Sequence, residues 1–334
     1  MQDDIIKLTG EVVRVTNEKI DQIDHITRHT GFLALNARIE AAHAGNEGSA
    51  FAVVAEEMGG VADQIARVSQ ELKTAISSNA SVMAEIIDKF RGARAADLAL
   101  NIIEIIDRNL YERSCDVRWW ATDSAVVAAA EEPIEDKRTY ASARLATILR
   151  SYTVYLDLWI VGARGKVIAN GKPEKYPNVV RSDVSGEAWF KDAMRTKSGD
   201  DFAVADVAIN PLLGNSAVAT YATAIRKGGE ANGEIIGVLG IFFDWAPQAR
   251  TVVTGVGLEA HEKAMARVMI LDANCRVLAS SDQEGILKEK YPLERGQGTR
   301  GFYKKDGKLI SYSLTPGYET YKGLGWYGVL ETRD

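Results

Sequence analysis

The sequence predicts an α+β protein: an N-terminal antiparallel helical hairpin, then a long helix, then two antiparallel sheets. Three observations predict it. Apolar residues recur at threes and fours through the first ninety positions, with one Gly/Asn break in the middle. The period then changes from helical to two at Tyr155. A second strand-turn-strand opening at Arg267 repeats the plan of the first.

The first arm carries Ile5, Leu8, Val12, Val15, Ile23, Ile26 and Leu33 as a heptad-type seam. Asn46-Glu47-Gly48, between Gly45 and Ser49, supplies the reversal, because Gly and Asn tolerate the positive φ a helix end needs. The return arm carries Phe51, Val54, Met58, Val61, Ile65, Val68, Leu72, Ala75 and Ile76. Each arm is ~60 Å long at ~1.5 Å per residue. Two arms with one stripe each cannot close a core alone, so a homodimer forming a four-helix bundle is expected. Gly59-Gly60 reads as a soft spot or a close approach.

Arg91-Gly92-Ala93-Arg94 marks the expected boundary, giving domains 1–92 and 93–334. Leu98, Ile102, Ile105, Leu110, Val117, Ala121 and Val126 set a helix running to about Ala130, and a second helix follows over Arg138 to Ser151. Alternation then predicts strands at Tyr155–Ala163, Lys166–Gly171, Phe202–Ile209, Ala217–Arg226 and Glu234–Asp244, with a short helix at Ala188–Thr196. A linker holding Gly255 and Gly257 leads to strands at Arg267–Asp272, Val277–Ser280, Gly301–Tyr303, Leu309–Leu314 and Trp326–Glu331. The first repeat covers about 138–250 and the second about 262–334.

Composition narrows the function. The 334 residues are 46% apolar, with net charge −6 and no run of Lys or Arg, which argues against nucleic acid and anionic membranes. No apolar run approaches the ~20 residues of a membrane span, and the N-terminus reads as no signal peptide, so a cytoplasmic location is expected. Cys115 and Cys275 are too few and too distant for a disulfide framework. Residues 95–255 contain no His, which excludes a His-ligated metal or a Ser-His-Asp triad there. No nucleophile motif, phosphate loop or metal cluster appears, so no enzyme, catalytic residue, metal or cofactor is expected.

Leu33-Ala34-Leu35-Asn36-Ala37, Ile39-Glu40-Ala41-Ala42 and Phe51-Ala52-Val53-Val54-Ala55-Glu56-Glu57 occur in an order that resembles the hairpin tip of the bacterial methyl-accepting chemotaxis proteins. The resemblance implies a surface that contacts the chemotaxis histidine kinase and its coupling adaptor, carried here by Phe32, Leu35, Asn36, Glu40 and Val53. The chain departs from the family pattern at Arg28, His43, Asn46 and Ser49. Methylation is not expected.

The rest of the chain resembles the double Cache (PAS-like) sensor domain. The matching residues are Asp107-Arg108-Asn109-Leu110-Tyr111, Asp116 to Asp123, Trp189-Phe190-Lys191-Asp192-Ala193, Gly237-Val238-Leu239-Gly240 and Gly317 to Trp326. That implies a small-molecule ligand over the first sheet. Polar groups in apolar strands stand out there: Asp157, Asp206, Tyr221, Arg226 and Asp244. Trp159, Trp189 and Phe190 are candidate aromatic walls. Amino-acid-binding relatives carry an Arg two residues before that Trp; Glu187 stands there, and Arg181 is the candidate substitute. The ligand site is therefore placed at Trp159, Arg181, Trp189, Phe190, Asp206, Tyr221 and Asp244. Trp119 and Trp120 read as helix-to-sheet packing or as the floor of a pocket, and Tyr318, Tyr321 and Trp326 as core. The expected function is a chemotaxis signal transducer with a sensing domain, the alternative a dimeric scaffold whose sheets bind nothing.

Overall fold

The computed structural model describes the backbone of residues 2–333 and the side chains of residues 7–333. The chain divides into two compact units, Met1–Arg91 and Gly92–Asp334.

In the first unit, helix α1 (Gln2–His43) and the start of helix α2 (Ser49–Trp120) are joined by a 3-10 turn at Gly45–Gly48. Gly45 sits at φ +63, and a Cβ on Gly48 would lie 2.1 Å from the Ala41 carbonyl oxygen, so neither position accepts a side chain without strain. The seam between the arms is built differently from the expected one. It runs in sevens through Val13, Ile20, Thr27, Ala34 and Ala41, facing Ala55, Ala62 and Ser69 of the return arm. Ala34 comes within contact distance of a Cβ placed on Gly59, and Lys73 pairs with Asp21 at 3.1 Å. Small residues let the helices approach closely. The large apolar residues of the expected seam, from Leu8 to Leu33 and from Phe51 to Leu72, face outward and are exposed; Ile5 lies outside the described side chains.

The second unit is built on the C-terminal part of α2. That helix ends at Trp120, where Asp123 accepts a hydrogen bond from the Ala125 amide and starts a new helix, α3 (Ser124–Glu131). The expectation of one helix to Ala130 is thus corrected by an N-cap. Helix α4 (Glu135–Ser151) leads into β1 (Tyr155–Gly162), β2 (Val167–Asn170), α5 (Ala188–Ala193), β3 (Ala203–Asn210), β4 (Ser216–Arg226) and β5 (Ile235–Asp244). The segment expected to be a linker instead contains α6 (Trp245–Thr254) and α7 (Ala260–Met265). Buried Trp245, Ala249 and Val253 lie four apart on α6, one helical face. Strands β6 (Ala266–Leu271), β7 (Val277–Ser280), β8 (Arg300–Lys305), β9 (Lys308–Leu314) and β10 (Tyr327–Arg333) complete the chain.

The two sheets have the same order, β2-β1-β5-β4-β3 and β7-β6-β10-β9-β8. Every pairing is antiparallel. One face of each sheet joins a shared core with Ile102, Ile103, Ile106, Leu110 and Val117 of α2. Gly328 on β10 lies so close that a Cβ would meet the Ala99 carbonyl oxygen at 2.1 Å.

Candidate functional site

At the hairpin tip, Phe32, Leu35 and Val53 are 65%, 52% and 58% exposed, and Asn36 and Glu40 are exposed beside them. The seam explains this. Ala34, Ala41 and Ala55 turn inward, so neighbours off that phase turn outward. The result is an apolar patch with one amide and one carboxylate, giving contact area and register. Further along the hairpin, Ile23, Val61, Ile65, Val68 and Leu72 line an apolar hollow of about 290 Å³ across both arms.

In the first repeat the sheet separates the expected ligand residues. Trp159 pairs with Gly240, and Leu158 with Ile241, so side chains alternate between two faces. On the face under α5, Trp159, Trp189, Phe190 and Phe242 interlock. Ring centroids are 4.0 Å apart for Trp159–Phe242 and 5.7 Å for Trp189–Phe242. Gly240 makes room for Trp189, whose ring lies 3.1 Å from where its Cβ would be. All four rings are at most 6% exposed.

Asp157 anchors the neighbouring turn. Its carboxylate accepts from the Leu158, Gly171 and Lys172 amides, Trp159 Nε1 and Asn170 Nδ2, all at 2.7–3.0 Å. Burial raises its pKa, and those hydrogen bonds oppose the shift. Asp244, half-buried at the end of β5, is also raised by burial, with Lys175 and Lys172 pulling the other way.

The remaining residues sit elsewhere. Tyr221 belongs to the face on α2, and its hydroxyl is 3.1 Å from that of Tyr321 in the second repeat. Asp206 is 4.0 Å from Arg276, which also pairs with Asp272 at 2.9 Å and donates to the Val207 carbonyl. These two residues therefore tie the repeats together. Arg226 is buried and donates to the carbonyls of Gly233 (2.9 Å) and Thr196 (2.7 Å), clamping two loops. Arg181 is exposed beside β2, at φ +73. Trp120 is buried as expected, whereas Trp119 is 68% exposed and lines a hollow of about 330 Å³; Tyr321 and Trp326 are core, whereas Tyr318 is 37% exposed.

Sequence reasoning passed over the polar latches of α2. Asp107 accepts from the Thr315 hydroxyl and, at 2.9 Å, from the Gly317 amide. Asp116 accepts from the Tyr155 hydroxyl at 2.5 Å and lies 3.3 Å from Arg113. Their signal was present: Asp107, Arg113 and Asp116 fall in the same helical phase as Ile103, Ile106, Leu110 and Val117.

Among the described residues, no helix is long and apolar enough to cross a membrane, and no group of three or more His, Cys, Asp or Glu is placed to hold a metal.

Two kinds of known protein are similar to this chain. Residues 3–112 match the signalling domain of methyl-accepting chemotaxis proteins. The methyl-accepting chemotaxis aspartate transducer of Klebsiella aerogenes is 31% identical over 113 residues, which is 32% of this chain and 21% of that protein. The matched stretches span only 11% to 21% of the length of such curated relatives. The sheet unit has the fold of Cache-type sensor domains. The sensory domain of the Campylobacter jejuni chemoreceptor Tlp3 superposes with a TM-score of 0.53 at 16% identity, covering 72% of this chain and 92% of that one. The sensor domain of the V. cholerae histidine kinase DctB gives 0.51 at 12% identity, covering 77% and 99%.

Proposed function

We propose that this chain is a chemotaxis signal transducer. Residues 1–92 form the signalling hairpin, and residues 93–334 sense a small molecule through two repeats at about 138–250 and 262–334. The observation that carries the reading is helix α2. One unbroken helix, Ser49–Trp120, supplies both the return arm of the hairpin and the latch residues Asp107, Arg113 and Asp116 that hold the sheets. A ligand that favours one arrangement of the sheets on those latches biases the same helix. Coupling of that kind is typically ~1–3 kcal/mol.

At the other end, Phe32, Leu35, Asn36, Glu40 and Val53 are the contact surface for the chemotaxis histidine kinase and its adaptor. The exposed stripes on both arms support a homodimer, since they leave a large apolar surface without a partner. Reconstitution with a chemotaxis kinase and adaptor tests this. Wild-type chain changes kinase autophosphorylation, and Val53→Asp weakens co-sedimentation at least about tenfold. A kinase indifferent to the wild-type chain overturns the reading.

A second reading has its own support. The aromatic cluster of Trp159, Trp189, Phe190 and Phe242 fills the α5 face, and none of the four lines the hollows of about 330, 360 and 480 Å³ in this unit. A sheet packed in this way suits a dimeric scaffold without a ligand there. A thermal-shift screen across metabolite classes separates the two: a stabilising ligand supports the transducer, and none supports the scaffold.

A further inference from the structure

One hollow in the sheet unit has a different character from the packed aromatic face. It opens at the β1–β2 turn, with a volume of about 480 Å³. Pro133 and Ile236 contribute to an apolar floor, and Arg138, Arg164, Lys166 and Arg181 line it. No acidic residue lines it. Arg138 is paired with Glu135, and Lys166 with Asp183 at 3.0 Å. Among the described residues, Arg164 and Arg181 have no carboxylate partner. Two unpaired guanidiniums and two paired cations thus converge on one concavity, in a chain whose net charge is −6.

The contrast with the 330 Å³ hollow on the same unit decides the chemistry. There Arg118 and Arg226 are matched by Asp200 and Glu230 in the lining, so no sign of charge is favoured. Here the excess is wholly positive. A guanidinium binds a planar carboxylate or a phosphate through two parallel N–H donors, and four cations around a concave wall focus field lines on one small volume. The volume falls within the ~300–1,000 Å³ of small-molecule sites. A nucleic acid would instead need a basic stripe along the surface.

We propose that this hollow binds a small multivalent oxyanion, a polycarboxylate or a phosphate ester, with Arg164 and Arg181 as its principal ligands and Lys166 and Arg138 as supporting charge. The site reassigns Arg181 from the aromatic face to the opposite end of β2. It stands apart from the transducer reading, because occupancy needs no kinase.

Calorimetric titration of the full chain in 0.1 M salt with pyrophosphate, and separately with propane-1,2,3-tricarboxylate, tests it. At least one probe binds at a single site with Kd below about 1 mM. A tricarboxylate-only result assigns a polycarboxylate, a pyrophosphate-only result assigns a ligand bearing phosphate groups, and both confirm the shared chemistry. The double variant Arg164→Gln/Arg181→Gln weakens binding at least about tenfold. Ala163→Glu, which adds a carboxylate at the rim and removes no native charge, does the same and covers the case of a double variant that fails to fold. Arg195→Gln, at an exposed arginine paired with Asp192, leaves binding unchanged. Absence of saturable binding by both probes overturns the proposal. So does affinity that survives Ala163→Glu, or that falls equally in Arg195→Gln.

Discussion

In the hairpin, Ile23, Ile65 and Val68 remain 41%, 40% and 56% exposed, while Ala34, Ala55 and Ala62 fill the seam. In the sheet unit the large side chains are the ones inside: Trp159, Trp245 and Trp326 are each 1% exposed. Polar groups follow the same division. The sheet unit buries Asp107, Asp116 and Asp157 with hydrogen-bond partners, whereas the described ion pairs of the hairpin, such as Arg14–Glu18, lie on its surface. One region is complete by itself and specified by its interior. The other leaves its largest apolar side chains on its surface.

The largest expected effect tests the completeness of the sheet unit. Asp157→Ala removes an acceptor shared by five donors, of which the Gly171 amide keeps a second acceptor in the Leu158 carbonyl at 3.0 Å. We expect a loss of about 4 kcal/mol in urea unfolding of this unit, from several unsatisfied donors at about 1–3 kcal/mol each. A loss below about 1 kcal/mol would mean that water reaches the Asp157 carboxylate and that the interior is less closed than its packing implies.

The hairpin responds in the opposite sense. Ile65→Asp with Val68→Asp alters exposed positions, so the folded monomer is little affected. Sedimentation equilibrium is expected to show the dimer dissociating with Kd raised at least tenfold, about 1.4 kcal/mol, while the unfolding midpoint of the sheet unit holds. An unchanged Kd would place the dimer contact elsewhere and break the comparison.

These regions were also legible to different degrees. The strands were readable within a few residues, because alternation such as Tyr155–Gly162 against Ile235–Asp244 leaves one register with both faces covered. The hairpin was legible as an element and misread as a seam. Periodicity ranks large apolar residues first, yet the closest helix contacts use Ala, Gly and Thr, which carry little hydropathy signal. Helix α6 shows in the sequence only as the four-residue spacing of Trp245, Ala249 and Val253, a short signal set against Gly255 and Gly257, and Gly255 caps the helix. The oxyanion hollow had no sequence signal at all. Arg138, Arg164, Lys166 and Arg181 form no run, and only the folding of α4 beside the β1–β2 turn brings them together. The expected ligand residues were similarly a list by type, and the pleat divides Trp159 from Tyr221.

The smallest expected effect is a slope, and it separates a titrating interior from an inert one. Asp107 is 2% exposed; burial raises its pKa, with the Thr315 and Gly317 hydrogen bonds opposing and Glu104 adding to the rise. The folded state therefore holds this proton more tightly than the unfolded chain. Its contribution to stability is full below the ordinary carboxyl range near pH ~4 and is lost as pH rises through the folded pKa. Asp116 and Asp157 shift in the same direction for the same first cause. Asp107→Asn keeps an acceptor for Thr315 and Gly317 but cannot ionise. The difference in unfolding free energy between variant and wild type should thus move in the variant's favour from pH 4 to pH 8. Parallel curves would show that Asp107 titrates alike in both states, so that its latch on the second sheet is no drier than the hairpin surface.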